Sequence, residues 1–396
     1  MRFIRRKATV ALRLATLPLV LATASFMCTQ SAQAWTYKIL YSFGGGDTKD
    51  YGALSLRIDK DTGKLYGTTL GRRGKTGTVF EFATDGTETV LHTFAGGTEG
   101  SYPLGRLARD GEGNLYGTDL YSGDPACDCG VVYEVTRKRD FKVLHTFLGD
   151  PDDGKSPFAG LTLDPSGNLY GTTEYGGAND KGIVFRLAPD GSFTVLYSFA
   201  GGVDGAYPVA DVTLDKAGNI FGSTGYGGDP NCDCGTIFKL SPFGQKTILH
   251  VFTTKHGGYP RGGLLLDQAG NLYGTGTGPG GRGGTKGALF RLAPNGQFKT
   301  LIKFDREFGG EPLGHLVMDE AGAIYGITHR SPDTYYDGII YQWSPDGTRH
   351  QLHVFGGDRD GDVPEGGLVK DKVGNLYGVT FYGGDHERGT IFELVK

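Results

Sequence analysis

Beyond residue 34, hydrophobic and polar residues alternate along this chain in short runs, none long enough for a helix. Leu161-Thr162-Leu163, Leu169-Tyr170-Gly171-Thr172-Thr173, Ile183-Val184-Phe185-Arg186-Leu187 and Thr194-Val195-Leu196-Tyr197-Ser198-Phe199 are rich in β-branched and aromatic residues. Gly, Pro, Asn and Asp bound each run. The pattern predicts four strands, a to d, joined by tight turns: Pro-Ser-Gly-Asn at 165–168 between a and b, Pro-Asp-Gly at 189–191 between c and d.

This unit recurs. Tyr-Gly or Phe-Gly begins at Tyr66, Tyr116, Tyr170, Phe221, Tyr273, Tyr325 and Tyr377, with a Gly three residues before each. Downstream, Gly77, Gly130, Gly182, Gly235, Gly287, Gly338 and Gly389 each precede two small or apolar residues and an aromatic. Four-stranded units of about 50 residues in tandem predict a β-propeller. The last unit stops at Ile391–Lys396, after strand c and with no strand d, and Tyr37–Phe43 reads as a strand d with no a, b or c before it. A ring explains both, because the first strand completes the last sheet and leaves no open edge; a solenoid would need two capping units. The expected fold is all-β, one seven-bladed β-propeller over 35–396 with four-stranded blades, closed by an N-terminal strand d joining C-terminal strands a to c.

The combination Asp-x-x-Gly-Asn-Leu-Tyr-Gly-Thr-Thr, Gly-Gly, Gly-x-Val-Phe-x-Leu and Leu-x-x-Phe-x-Gly-Gly, best seen over Leu161–Gly202, resembles the GloVer-type tandem repeat of secreted bacterial proteins. The resemblance covers the chain beyond residue 34. It implies a propeller-like fold and export, and names no chemistry.

Composition agrees with a turn-rich β fold. Gly supplies 69 of 396 residues, about 17% against a usual share near 7%, which excludes a helical protein. Residues 1–34 read as a cleaved signal peptide: Arg2, Arg5, Arg6, Lys7 and Arg13, then an apolar stretch from Leu14 to Met27, then Ala32-Gln33-Ala34. The leader holds five basic and no acidic residues, so the remaining 35 basic and 44 acidic side chains leave a net −9. That balance argues against nucleic acid, whose binding needs a basic face. The protein is expected to be extracytoplasmic, periplasmic or secreted, free of the membrane after cleavage, and monomeric.

In an up-and-down blade the b–c loops and d–a connections share one face, and here they hold the irregular chemistry. Cys127 and Cys129 in one b–c loop, and Cys232 and Cys234 in another, are expected to pair locally, since a whole unit separates the loops. Tyr102, Tyr207 and Tyr259 in d–a connections and Tyr121, Tyr175, Tyr226 and Tyr382 in b–c loops suit stacking on sugars, or wedge the blades apart. His329 and Arg330 replace the usual Gly-rich loop start, and with His256, His315, Asp305 and Glu307 they offer an asymmetric pocket. Asp358, Asp360 and Asp362 around Gly361 suggest a calcium site. His92, His145, His250 and His353 share a register with Tyr41 and Tyr197, which marks a packing slot. No Gly-x-Ser-x-Gly elbow occurs. The expected function is non-enzymatic binding of a glycan or extracellular protein on this face; the alternative is a polysaccharide hydrolase or lyase, calcium-assisted.

Overall fold

A computed structural model describes residues 35–44, 51–71, 77–255, 257–278, 287–305, 307–331 and 337–396, with Tyr51 described by its backbone alone. The expected leader, His256 and most of the Gly278–Gly287 stretch lie outside the described residues. The fold is all-β. Five four-stranded antiparallel sheets follow one another in a propeller-like ring, each in the order a-b-c-d. The third, for example, runs Thr162–Leu163, Leu169–Thr173, Ile183–Leu187 and Phe193–Ser198. An eight-stranded sheet completes the molecule. One half holds Gly310–Met318, Ile324–Arg330, Ile339–Trp343 and Arg349–Val354. The other holds Asp362–Lys370, Leu376–Tyr382, Thr390–Val395 and the N-terminal strand Thr36–Ser42. The halves meet at one parallel residue pair, His315 and Gly367. Among the described residues no helix is long and apolar enough to cross a membrane.

The repeated residues are repeated for identifiable reasons. In the a–b turn, the Asp carboxylate accepts backbone N–H groups and is bridged by the Asn amide and Tyr hydroxyl. Asp164 takes Ser166 N at 2.8 Å, Asn168 N at 2.9 Å, Asn168 Nδ2 at 2.8 Å and Tyr170 Oη at 3.2 Å. Burial alone would raise this carboxyl, but those donors outweigh it and hold it below the usual range.

The Gly after the Tyr lies directly opposite the strand-c aromatic. A Cβ at Gly67, Gly171, Gly222 or Gly274 would sit 2.5–2.6 Å from the Cζ of Phe80, Phe185, Phe238 or Phe290, all fully buried. The Gly that opens strand c makes room for the next unit. Pro103, Pro157, Pro208, Pro260, Pro312 and Pro364 crowd Gly77, Gly130, Gly182, Gly235, Gly287 and Gly338, and at Gly389 the neighbour is Gly52 of the first unit.

Strand d supplies the outer contact between units. His92, His145 and His250 stack on Phe141, Phe193 and Phe298 of the following sheet at 3.8–3.9 Å, within 6° of parallel. His353 stacks likewise on Tyr37 at 3.7 Å, so the N-terminal strand occupies the place that a following sheet fills elsewhere.

Candidate functional site

Two features stand out against this repetition: a band of tyrosines on the loop face and a charged cavity among the first strands.

The tyrosines occupy two registers. One is the residue before the repeated Pro, where the backbone is left-handed in all but the Tyr102 copy: φ is 56° at Tyr207 and 52° at Tyr259, and equally 58° at Ser156, 55° at Glu311 and 54° at Val363. A non-glycine residue held there is strained by roughly 1–2 kcal/mol, and the preceding unit holds it. Tyr207 N donates to Lys181 O at 2.9 Å, Tyr259 N to Cys234 O at 2.8 Å and Ser156 N to Cys129 O at 2.9 Å. The second register lies in the b–c loop and carries Tyr121, Tyr175, Tyr226, Arg330 and Tyr382.

Alternation of the two registers builds a continuous aromatic arc. Ring centroids lie 5.3 Å apart for Tyr175–Tyr207, 5.7 Å for Tyr207–Tyr226 and 5.3 Å for Tyr226–Tyr259, and a separate pair, Tyr102–Tyr121, lies at 5.7 Å. Five of the seven tyrosines remain 36–46% exposed, too open for wedges between sheets. Lys181 Nζ donates to Tyr207 Oη at 2.6 Å, and Tyr259 Oη donates to Cys232 O at 3.2 Å. In the sixth unit the tyrosine pair is replaced by Arg330 and Glu311, bridged at 2.7 Å. In two b–c loops of this face, Cys127–Cys129 and Cys232–Cys234 are disulfide-bonded with Cα atoms 5.2 Å apart.

Asp119 breaks the repeat beneath the Tyr102–Tyr121 pair, where five other units carry Thr at the same position and a sixth has Gly276. Its carboxylate accepts the Tyr102 N–H, and the Tyr121 N–H at 3.3 Å. Burial pushes the carboxyl up to about 7 despite these donors. The folded state therefore holds a proton that the unfolded chain, with a carboxyl near 3.9, has released. Stability should fall as pH rises from about 4 to about 7 and then level off. Urea unfolding across that range should show the slope in the natural protein and a flatter profile in Asp119→Asn.

The cavity, about 220 Å³, is lined by the starts of strand a from every repeat. The residue before the strand-a Leu or Val is Ser55, Arg106, Gly160, Asp211, Gly263, His315 and Gly367 in turn, and the three that titrate converge. Asp211 Oδ2 lies 3.0 Å from His315 Nε2 and 3.8 Å from Arg106 Nε, while Oδ1 accepts Gly160 N at 2.6 Å. Burial raises the Asp211 carboxyl, but His315 and Arg106 outweigh it and hold it low. Glu365 lines the same cavity, and burial pushes its carboxyl up.

Other expected groupings do not form. Asp358, Asp360 and Asp362 do not converge, and no three His, Cys, Asp or Glu among the described residues are placed to hold a metal ion. Asp360 is instead a repeated staple: Oδ2 meets His353 Nε2 at 3.1 Å and accepts Gly356 N at 3.0 Å. Glu99, Asp153 and Asp204 do the same with His92, His145 and Tyr197. The described non-repeated residues of the fifth and sixth units have separate engagements. His315 lines the cavity, Arg330 is held by Glu311, and Asp305 caps its own turn by accepting Glu307 N and Phe308 N at 2.9 Å. Arg106 and Asp211 had no motif to mark them; aligning the seven strand-a segments at their Leu or Val exposes both.

Sequence comparison matches the family described as the Gloeobacter/Verrucomicrobia repeat over residues 24–233 and 215–396. No curated protein matches the chain in sequence. Among solved structures, the extracellular domain of a hybrid two-component system protein from B. thetaiotaomicron is similar with a TM-score of 0.59 and 13% identity, over 90% of this chain and 39% of that one. An oligogalacturonate lyase in complex with manganese is similar with a TM-score of 0.53 and 13% identity, over 91% and 96%. At these identities the likeness concerns the fold alone.

Proposed function

The chain belongs to the Gloeobacter/Verrucomicrobia repeat family, and from that footing we propose that it is an exported, seven-bladed β-propeller that binds a glycan, without turnover, on its tyrosine face. Dividing the eight-stranded sheet at its single parallel pair yields two further blades beside the five. The crowding of Gly389 by Gly52, and of Gly366 by the Leu54 carbonyl, supports closure of the seventh blade on the first. Paired cysteines suit an oxidising compartment.

The observation that carries the binding reading is the unbroken arc from Tyr175 to Tyr259, in which Tyr175 and Tyr226 are exposed and Tyr207 and Tyr259 half-buried. Aromatic rings held by strained, hydrogen-bonded backbone are pre-organised, so little ordering is needed when the apolar face of a sugar packs on them. A second reading, a polysaccharide hydrolase or lyase, draws support from His315 and Asp211 in a cavity that also holds Glu365.

Glycan-array screening of the protein lacking residues 1–34, followed by affinity electrophoresis, tests the proposal. Tyr207→Ala and Tyr226→Ala should each weaken retention about 5–30-fold, the equivalent of ~1–2 kcal/mol. Retention that survives both substitutions, or capture of a protein and no glycan, refutes glycan binding by the arc. Turnover of a polysaccharide that disappears in Asp211→Asn would establish the second reading instead.

A further inference from the structure

Away from the tyrosines, where strands a run into the a–b turns, the same strands enclose a second cavity of about 490 Å³. Its wall has two unlike halves. Arg57, Lys60, Arg106 and Arg109 from the first two repeats, with Lys370 from the seventh, form one; Leu265, Leu316 and Met318 from the fifth and sixth form the other. Five cations thus face one carboxylate, Asp59, in a protein whose formal charge is −4.

That carboxylate is committed: Oδ2 meets Arg109 at 3.0 Å and Oδ1 accepts Asp61 N at 2.9 Å. Arg106 reaches only Asp211, 3.8 Å away and already engaged by His315, and its Nε is buried without a hydrogen-bond partner. Arg57 forms no ion pair with any described residue. Burial first, then the charges of Arg106 and Arg109, lower its guanidinium to about 10. Gathering desolvated like charges with fewer counter-ions than charges opposes folding. Such a cluster is complementary to an oxyanion, which a guanidinium fork can engage through two parallel hydrogen bonds.

We propose that this cavity binds a small amphipathic anion, its carboxylate or phosphate head on Arg57, Arg106 and Arg109 and its apolar body on Leu265, Leu316 and Met318. The volume lies within the range of small-ligand pockets. The apolar half argues against an unsubstituted sugar, whose hydroxyls would go unpaired there, so this site is distinct from the tyrosine face.

Calorimetry and thermal shift at low salt with four probes test it: hexanoate, hexyl phosphate, hexanol and inorganic phosphate. Hexanoate or hexyl phosphate should bind at least tenfold more tightly than hexanol and inorganic phosphate, and the tighter of the two identifies the head group. Arg57→Gln should weaken that binding at least tenfold while leaving the ligand-free melting temperature unchanged or higher, whereas a structural arginine would lower it. Met318→Glu, which places a carboxylate inside the cavity, should raise the ligand-free melting temperature and block both anions. Binding of the tighter anion no stronger than that of hexanol or of inorganic phosphate, binding unaffected by Arg57→Gln, or no binding of either anion overturns the proposal.

Discussion

A protein from which residues 36–43 are deleted should not reach a cooperatively folded state. This short segment supplies three kinds of support at once. Thr36–Ser42 pairs with Thr390–Val395 from Thr36↔Val395 to Ser42↔Thr390, so its loss strips one whole ladder. Tyr37 stacks on His353 at 3.7 Å and donates its hydroxyl to the Asp360 carbonyl at 2.7 Å, tying the sixth repeat to the seventh. Phe43 is fully buried, 5.6 Å from the Phe80 ring and clustered with Ile391. Emptying a site like that of Phe43 alone costs about 3–5 kcal/mol. With the exposed strand edge and the lost stack, the deficit approaches the 5–15 kcal/mol that separates folded from unfolded chains. The bare Thr390–Val395 edge would then template aggregation. Near-ultraviolet circular dichroism and size-exclusion chromatography read the outcome, and a synthetic peptide of residues 35–44 added during refolding should restore both signals. A monomeric deletion variant with a sharp thermal transition would show that ring closure through this strand is not what holds the fold.

The stacking that makes this segment indispensable was partly legible in the sequence. His92, His145, His250 and His353 share one register with Tyr41 and Tyr197, which marks the slot as packing, but their partners could not be read. Each histidine meets a residue that opens strand d one repeat later, and for His353 that residue is Tyr37, at the other end of the chain. The same limit hid the axial charges. Arg106, Asp211 and His315 lie in three different repeats and meet only because strand a of each unit faces a common cavity. A tandem repeat displays what its copies share, whereas a site at the axis is written in what they do not share at one register. Asp358, Asp360 and Asp362 misled for the opposite reason. Their closeness in sequence suggested a cation, yet Asp360 accepts a backbone N–H and faces a strand-d ring, as Glu99, Asp153 and Asp204 do.

The most diagnostic residue of the repeat, the Gly of Tyr-Gly, sets propensity against packing. A glycine inside a strand is about 0.5–1 kcal/mol worse than Ala, so on backbone grounds Gly171→Ala should stabilise. Its φ is not left-handed, and nothing local forbids a side chain. Across the sheet, however, Gly171 pairs with Phe185. A new Cβ would stand 2.5 Å from Phe185 Cζ and 3.0 Å from Leu161 Cδ2. The Phe185 ring cannot swing aside, because Phe147 and Phe193 pack on it with centroids 5.4 Å away and it has no exposed surface. Overpacking of this kind destabilises by ~1–3 kcal/mol, which outweighs the propensity gain; a net loss of about 2 kcal/mol should lower the melting temperature of so large a domain by roughly 2–4 °C. Phe185→Leu alone should also destabilise, by leaving a void. Combined, the two substitutions should recover more than 1 kcal/mol relative to the sum of their separate effects, since the Leu vacates the space that the Ala methyl needs. Strict additivity in that cycle would mean that the glycine is retained for some reason other than the ring it faces.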